Sequence, residues 1–315
     1  MTTLPSIPPL EPAPLPPESR PAVAYLLNLA EGPGRVTMRS TLGRIAESLG
    51  FAAIDDVPWH ELRREHVMAL RSRWQSEFAP ATVNKYLAAV RGVCREAWRS
   101  GLMDGETHNR IQDVSNVKGS RLPAGRALEG GELRALFDAC ADGSPAGARD
   151  AAAFALMFGS GLRRSEAAGV AVEHYDRDTG AIRILGKGNK ERLVYATNGG
   201  KAALDAWLAI RGDGPGPVLC PVSKGGTVDS GASITAQSLM QRLKRRAAQA
   251  KISSCTPHDL RRTFVSAALE AGADLAMVQA LAGHANPATT ARYDRRPEAA
   301  KAKAAQLVHV PFAGA

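Results

Sequence analysis

From Pro80 to Arg99 the chain sets Val83, Tyr86, Leu87, Val90, Val93, Cys94, Ala97 and Trp98 at steps of three and four residues. That spacing dictates an amphipathic helix, and its apolar stripe needs other packed elements to cover it. The flanking sequence supplies them, with helical patterns over 22–29, 36–49 and 59–78 and a shorter stretch near Arg110. The opposite side of the 80–99 helix carries Lys85, Arg91, Arg95 and Arg99, the last three following each other at i, i+4 and i+8. Such a cationic stripe suits a phosphate backbone and equally suits a solvated helix face.

Proline and glycine mark the limits of this helical region. Residues 1–19 are dense in proline, which removes amide donors and keeps the backbone extended, so a flexible lead-in is expected there. The stretch Lys118-Gly-Ser-Arg-Leu-Pro-Ala-Gly-Arg126 is basic and lacks periodicity, which reads as a linker over 118–127. A helical domain over 20–117 therefore precedes a second domain over 128–297, with a tail over 298–315. In the second domain, helical patterns at 129–141 and 146–158 lead into three short strand candidates at 169–172, 181–185 and 192–196. Helical patterns resume at 200–210, 235–250, 259–271, 275–282 and 287–293. The fold class expected is mainly α with a small antiparallel β-sheet, the second domain being α+β. A chain of 315 residues, 44% of them hydrophobic, has enough material for two such cores.

Forty Lys and Arg against 31 Asp and Glu leave a formal charge of +9, which favours a polyanionic partner. Cys94, Cys140, Cys220 and Cys255 lie far apart, without a C-x-x-C pair or clustered histidines. They read as thiols in a reducing cytosol, and neither a metal site nor a cofactor is expected. No apolar run approaches the roughly 20 residues that cross a bilayer, and the N-terminus lacks a charged region followed by an apolar one. The expectation is a cytoplasmic protein.

Moving a phosphodiester needs an in-line nucleophile, positive charge on the non-bridging oxygens, and a proton donor for the departing alkoxide. Each role has a candidate. Arg163 follows Gly159-Ser160-Gly161, where glycine lets backbone and guanidinium approach a ligand, and a guanidinium can take two phosphate oxygens at once. Glu166, three residues on, can orient a guanidinium by accepting from it; an ordinary surface ion pair is the other reading. His258 and Arg261 stand three apart at the start of an expected helix, facing one side near the positive end of its dipole, as a catalytic or a purely structural pair. Tyr293 lies among Arg292, Asp294, Arg295 and Arg296, whose cations can favour a phenolate; a helix-end tyrosine held by a hydrogen bond is the alternative. Lys187 sits in Leu185-Gly-Lys-Gly-Asn-Lys-Glu-Arg192 between two strand candidates, a hairpin tip able to reach a DNA groove or simply a solvated basic turn.

Taken in order, these segments resemble the tyrosine recombinase (phage integrase) family, most closely its short Xer-like members, over roughly residues 20–310. The matching motifs are Gly-Leu-Arg-x-Ser-Glu at 161–166, Gly-Lys-Gly-Asn-Lys-Glu-Arg at 186–192, His-x-Leu-Arg at 258–261, Leu-x-Gly-His at 281–284 and a tyrosine nine residues after that histidine. Weak one by one, they are specific as a set. The resemblance implies site-specific DNA recombination in which Tyr293 attacks the scissile phosphate, leaving a 3′-phosphotyrosyl link and a free 5′ hydroxyl. It implies that Arg163, Arg261, His258 and His284 stabilise the phosphorane and that Lys187 is the general acid, with neither ATP nor a catalytic metal required.

The same resemblance implies that the N-terminal helical domain is a core-binding domain, that the partner is double-stranded DNA carrying specific core sites, and that four copies assemble on two duplexes. The tail, with Leu307, Val308, Val310 and Phe312, would anchor on a neighbouring copy or pack on its own. Arg164 departs from the family's usual apolar residue, and the sequence names no partner for it. A topoisomerase-like or hairpin-forming DNA cleavage enzyme, or a DNA-binding regulator on the same scaffold, remains the alternative.

Overall fold

The computed structural model describes residues 20–119, 125–186 and 191–283. The chain divides into two compact units, Met1–Pro123 and Ala124–Ala315, and the expected linker spans the division. The proline-rich lead, the tail and the helical pattern at 287–293 lie outside the described residues.

The first unit is built of α1 (Pro21–Leu27), α2 (Pro33–Ser48), α3 (Arg64–Glu77), α4 (Pro80–Arg99) and α5 (Gly105–Gln112). Helix α4 has the bounds that its periodicity predicts, and it buries Val83, Tyr86, Leu87, Val90, Val93, Cys94 and Ala97. Around it pack Leu42, Ile45, Trp59, Leu62, Leu70 and Trp74, with the Tyr86 ring edge-on to Trp74 and Phe78 at 5.1 and 5.5 Å. Gly92 lets α1 approach closely, because a Cβ there would lie 2.3 Å from Cε2 of Tyr25.

The helical pattern over 59–78 is interrupted. Trp59–Glu61 forms a single 3₁₀ turn, and α3 starts only at Arg64. Arg63 is extended and donates its N–H to Nδ1 of His66 at 2.9 Å, so a side-chain cap starts a new helix within one apolar rhythm.

The second unit contains α6 (Gly130–Asp138), α7 (Pro145–Phe158), α8 (Arg164–Ala168), β1 (Ala181–Leu185), β2 (Glu191–Tyr195), α9 (Asn198–Arg211), α10 (Ala236–Gln249), α11 (Pro257–Glu270) and α12 (Leu275–Ala282). Strands β1 and β2 form an antiparallel hairpin in which Ile182 faces Val194 and Ile184 faces Arg192. Ile182, Ile184 and Val194 close the core against Phe154, Leu156 and Met157 of α7 and Leu204, Trp207 and Leu208 of α9. The strand expected at 169–172 does not form. Ala171 makes one isolated bridge to Pro217, and a residue without an N–H cannot extend a ladder; Val172–His174 turns into 3₁₀ instead.

The fold is thus mostly helical with a two-stranded antiparallel sheet. Among the described residues, helix α12 buries Val278 and Ala282 against Val265 and Leu269 of α11. No described helix is long and apolar enough to cross a membrane.

Candidate active site

After α7 the chain turns through Gly159, Ser160 and Gly161 into Arg163. Ser160 donates its hydroxyl to the Tyr195 carbonyl at 3.0 Å, fixing the turn to β2. Gly161 has φ +64°, and a Cβ on it would lie 2.4 Å from Cδ1 of Phe264, so both backbone and space exclude a side chain. Arg163 is the extended residue preceding α8, a helix of five residues. Glu166 reaches back from that helix to accept the Arg163 N–H at 2.8 Å on Oε2 and the Arg163 Nη1–H at 2.7 Å on Oε1.

Helix α11 starts with mutual capping. Asp259 Oδ2 accepts from the Thr256 N–H at 2.9 Å and from the Thr256 hydroxyl at 2.8 Å, and Pro257 follows the cap. This start places His258 and Arg261 one turn apart, as their spacing predicts. Arg261 is buried and donates Nη1–H to the Gly161 carbonyl at 2.6 Å and Nη2–H to the Ala282 carbonyl. His258 is exposed to solvent. Desolvation by the protein packed around it, then the charges of Arg262, Arg261 and Arg163, lower its pKa below the imidazole range, with Asp259 opposing. At neutral pH the ring is therefore neutral and able to accept a proton.

The C-terminal end of α12 joins the two arginines. Gly283 closes the helix at φ +61°, a left-handed cap. The last carbonyls of a helix have no partner within it, and here three successive ones each receive a different guanidinium: Leu281 from Nε–H of Arg192 at 3.1 Å, Ala282 from Arg261, and Gly283 from Nη2–H of Arg163. Arg192 also meets Glu166 with both terminal nitrogens, Nη1 to Oε1 at 3.1 Å and Nη2 to Oε2 at 2.8 Å. Burial pushes the Glu166 carboxyl up, but hydrogen bonds from Arg192 and from the Arg163 backbone and guanidinium outweigh it and leave the pKa at about 2.

Two guanidinia thus share one carboxylate, and a third, that of Arg261, joins them at the end of α12. The Arg163 side chain stays 41% exposed while that of Glu166 is 7% exposed, so the excess positive charge opens outward. Such an arrangement can hold an anion with several oxygens. The described residues contain no group of three His, Cys, Asp or Glu side chains able to hold a metal ion.

The structure therefore brings together Arg163, Glu166, His258 and Arg261. Lys187, His284 and Tyr293 lie outside the described residues. In the sequence Arg192 stands out only as the end of a motif. A further signal was nonetheless present: it shares the inward side of β2 with Val194, and an arginine at an inward register position requires a carboxylate partner. Arg164 also acquires a partner, its Nη1–H pointing to Sδ of Met240 on α10 at 3.3 Å.

In the first unit the stripe on α4 is uneven. Arg95 is exposed, and Arg99 is exposed and pairs with Glu96 at 2.9 Å. Lys85 Nζ lies 5.5 Å from the Tyr86 ring centroid. Arg91 is half-buried and ties α4 to its own chain, donating to the Val114 carbonyl and to Oδ1 of Asn116.

The phage integrase family profile matches residues 126–299. The chain is 32% identical over 238 residues to the tyrosine recombinase XerC of Pseudomonas putida strain F1, covering 75% of this chain and 76% of the relative. It is 33% identical over 237 residues to the XerC of Erythrobacter litoralis, covering 73% of each. Among solved structures it resembles a lambda integrase dimer bound to a core site, with a TM-score of 0.67, 14% identity and coverage of 89% of this chain and 96% of the other. It also resembles the Tn1549 transposon integrase in complex with transposon right end DNA, with a TM-score of 0.65, 16% identity and coverage of 92% and 98%.

Proposed function

The chain belongs to the phage integrase family, and from that premise we propose how its residues divide the work of cutting and rejoining a DNA strand. The protein is a tyrosine site-specific recombinase acting on DNA. In the division proposed, the Tyr293 hydroxyl attacks the scissile phosphorus in line. A bond forms from the phenolic oxygen to phosphorus, the bond from phosphorus to the 5′ oxygen breaks, and the DNA is left with a 3′-phosphotyrosyl link. The phenolic proton passes to a neighbouring base, for which neutral His258 is suited, and Lys187 protonates the leaving 5′ oxygen. Rejoining reverses these steps from the 5′ hydroxyl of another strand, and no external energy source enters.

Arg163 and Arg261, with His258 and His284, carry the charge that gathers on the non-bridging oxygens. The observation that supports this reading most strongly is the excess of positive charge around Glu166: two guanidinia share one carboxylate, a third joins them at the end of α12, and the first of them remains open to solvent. We assign the helical first unit, with Lys85, Arg95 and Arg99 on α4, to the DNA backbone, and infer four copies on two duplexes, in the cytoplasm where the DNA lies. Arg91 contributes to the stability of that unit through its bonds to Val114 and Asn116.

The test is covalent trapping. Purified protein mixed with fragmented genomic DNA and stopped in detergent gives a protein–DNA adduct whose DNA can be sequenced to reveal the core site. Tyr293→Phe should form no adduct while binding the recovered site with near-normal affinity, and an adduct persisting in that variant would overturn the assignment.

A further inference from the structure

We infer that Arg192 is a positioning residue for strand cleavage, holding the Arg163 guanidinium, through Glu166 and the end of α12, in the orientation that receives the scissile phosphate. The inference rests on the proposed role of Arg163 as a phosphate ligand.

Arg192 uses its whole guanidinium inside the protein. Two nitrogens meet the two oxygens of Glu166, and Nε–H meets the Leu281 carbonyl. Its side chain is 14% exposed. The Gly283 backbone lies directly against it, since a Cβ on Gly283 would stand 3.0 Å from Cζ and Nε of Arg192. All three guanidinium nitrogens of Arg192 are thus engaged within its own chain, which sets it apart from a residue that binds DNA.

The residues it touches are the ones that aim Arg163. Glu166 takes the backbone and side chain of Arg163, and the carbonyl of Gly283 takes the second terminal nitrogen. A carboxylate held by Arg163 alone could rotate about its own side-chain torsions and carry that guanidinium with it. The two-point contact from Arg192 fixes the carboxylate plane. The bond to Leu281 fixes the other support, the C-terminal end of α12. Arg192 therefore connects β2, α8 and α12, and its task is to orient a charge rather than to hold a fold.

A side chain that only orients a charge should matter in proportion to the charge on the substrate. The probe is a duplex of the sequence recovered from trapped adducts, nicked just beyond the scissile position so that cleavage is irreversible. It is made with an ordinary phosphodiester and with a methylphosphonate, in which a methyl group replaces one non-bridging oxygen and removes the negative charge. On the phosphodiester, Arg192→Met should slow cleavage roughly 10²-fold, the scale of a ~1 Å misplacement in a site of this kind. Its affinity for the duplex should be unchanged. Arg192→Lys, which keeps the charge but makes only a single-point contact, should fall between Arg192→Met and the wild type. On the methylphosphonate the Arg192→Met defect should shrink by the same factor as that of Arg163→Ala, and the double variant should cleave the phosphodiester no more slowly than Arg163→Ala alone.

Equal losses on the two substrates, a multiplicative loss in the double variant, or wild-type cleavage by Arg192→Met would overturn the inference. Arg192→Lys carries the same comparison should Arg192→Met fail to fold. Normal cleavage by Arg163→Ala would overturn the underlying role of Arg163, an outcome seen separately from any Arg192 result.

Discussion

The second unit contains two clusters of arginine and carboxylate, and they differ in charge balance. In the first, Asp150 bridges Arg149 at 2.6 Å and Arg246 at 2.9 Å, and Arg246 also reaches Asp142 at 2.8 Å. Two cations meet two anions, and the Arg149 and Asp150 side chains are 0% and 2% exposed. In the second, Arg163 and Arg192 share Glu166, so among the described residues two cations meet one anion, and these two guanidinia together with that of Arg261 donate to the carbonyls at the end of α12. Carbonyls carry only partial charge and do not neutralise the second cation on Glu166. A closed, balanced cluster can serve only the fold, whereas an open one with surplus charge waits for an anion from outside.

Removing Asp150 gives the largest expected effect on stability. Asp150→Ala leaves the Arg149 and Arg246 guanidinia buried without their shared partner, which costs about 3–5 kcal/mol. Denaturant unfolding should show that loss, while the folded fraction of the variant cleaves DNA at the wild-type rate. A loss below ~1 kcal/mol, or a cleavage defect beyond the unfolded fraction, would break the distinction between the clusters.

Glu166 makes the open cluster pH-dependent with a sign fixed by its shift. Its folded-state pKa, about 2, lies below the ordinary value of 4.5, so its contribution to stability is complete above pH 4.5 and fades as pH falls toward 2. The whole shift corresponds to about 3 kcal/mol. The stability advantage of the wild type over Glu166→Gln should therefore shrink as unfolding is measured at pH 5, 4 and 3. An advantage that stays constant over that range would mean that Glu166 is not held by its arginines as an anion.

Within the site, the sequence revealed the relations that spacing along one element sets. His258 and Arg261 are three apart on α11, and Glu166 follows Arg163 at a distance that one helical turn closes. Periodicity likewise placed α4 and β1. It could not place Arg192, whose partners Glu166 and Leu281 are 26 and 89 residues away along the chain. Nor could it foresee that the end of α12 would accept three arginines, since backbone carbonyls have no sequence signature. The break before α3 was hidden because a histidine cap leaves the apolar rhythm intact, and the failed strand at 169–172 because the missing N–H belongs to Pro217, far along the chain.

The smallest effect separates two neighbours. Gly161→Ala belongs just above it, since φ +64° and the Phe264 ring both resist a Cβ; a cost of about 1–3 kcal/mol is expected in unfolding, with slower cleavage because the Gly161 carbonyl also holds Arg261. Arg164 stands beside Arg163 in sequence but turns to Met240 on α10, and a thioether is a weak acceptor. Arg164→Ala should cost less than ~1 kcal/mol in unfolding and leave cleavage of the nicked duplex within a few-fold of wild type. If it instead cleaved as poorly as Arg163→Ala while still binding DNA, the surplus charge would extend along α8. The open cluster would then be defined by how many cations lie near Glu166, and the geometry in which three of them meet the end of α12 would lose its significance.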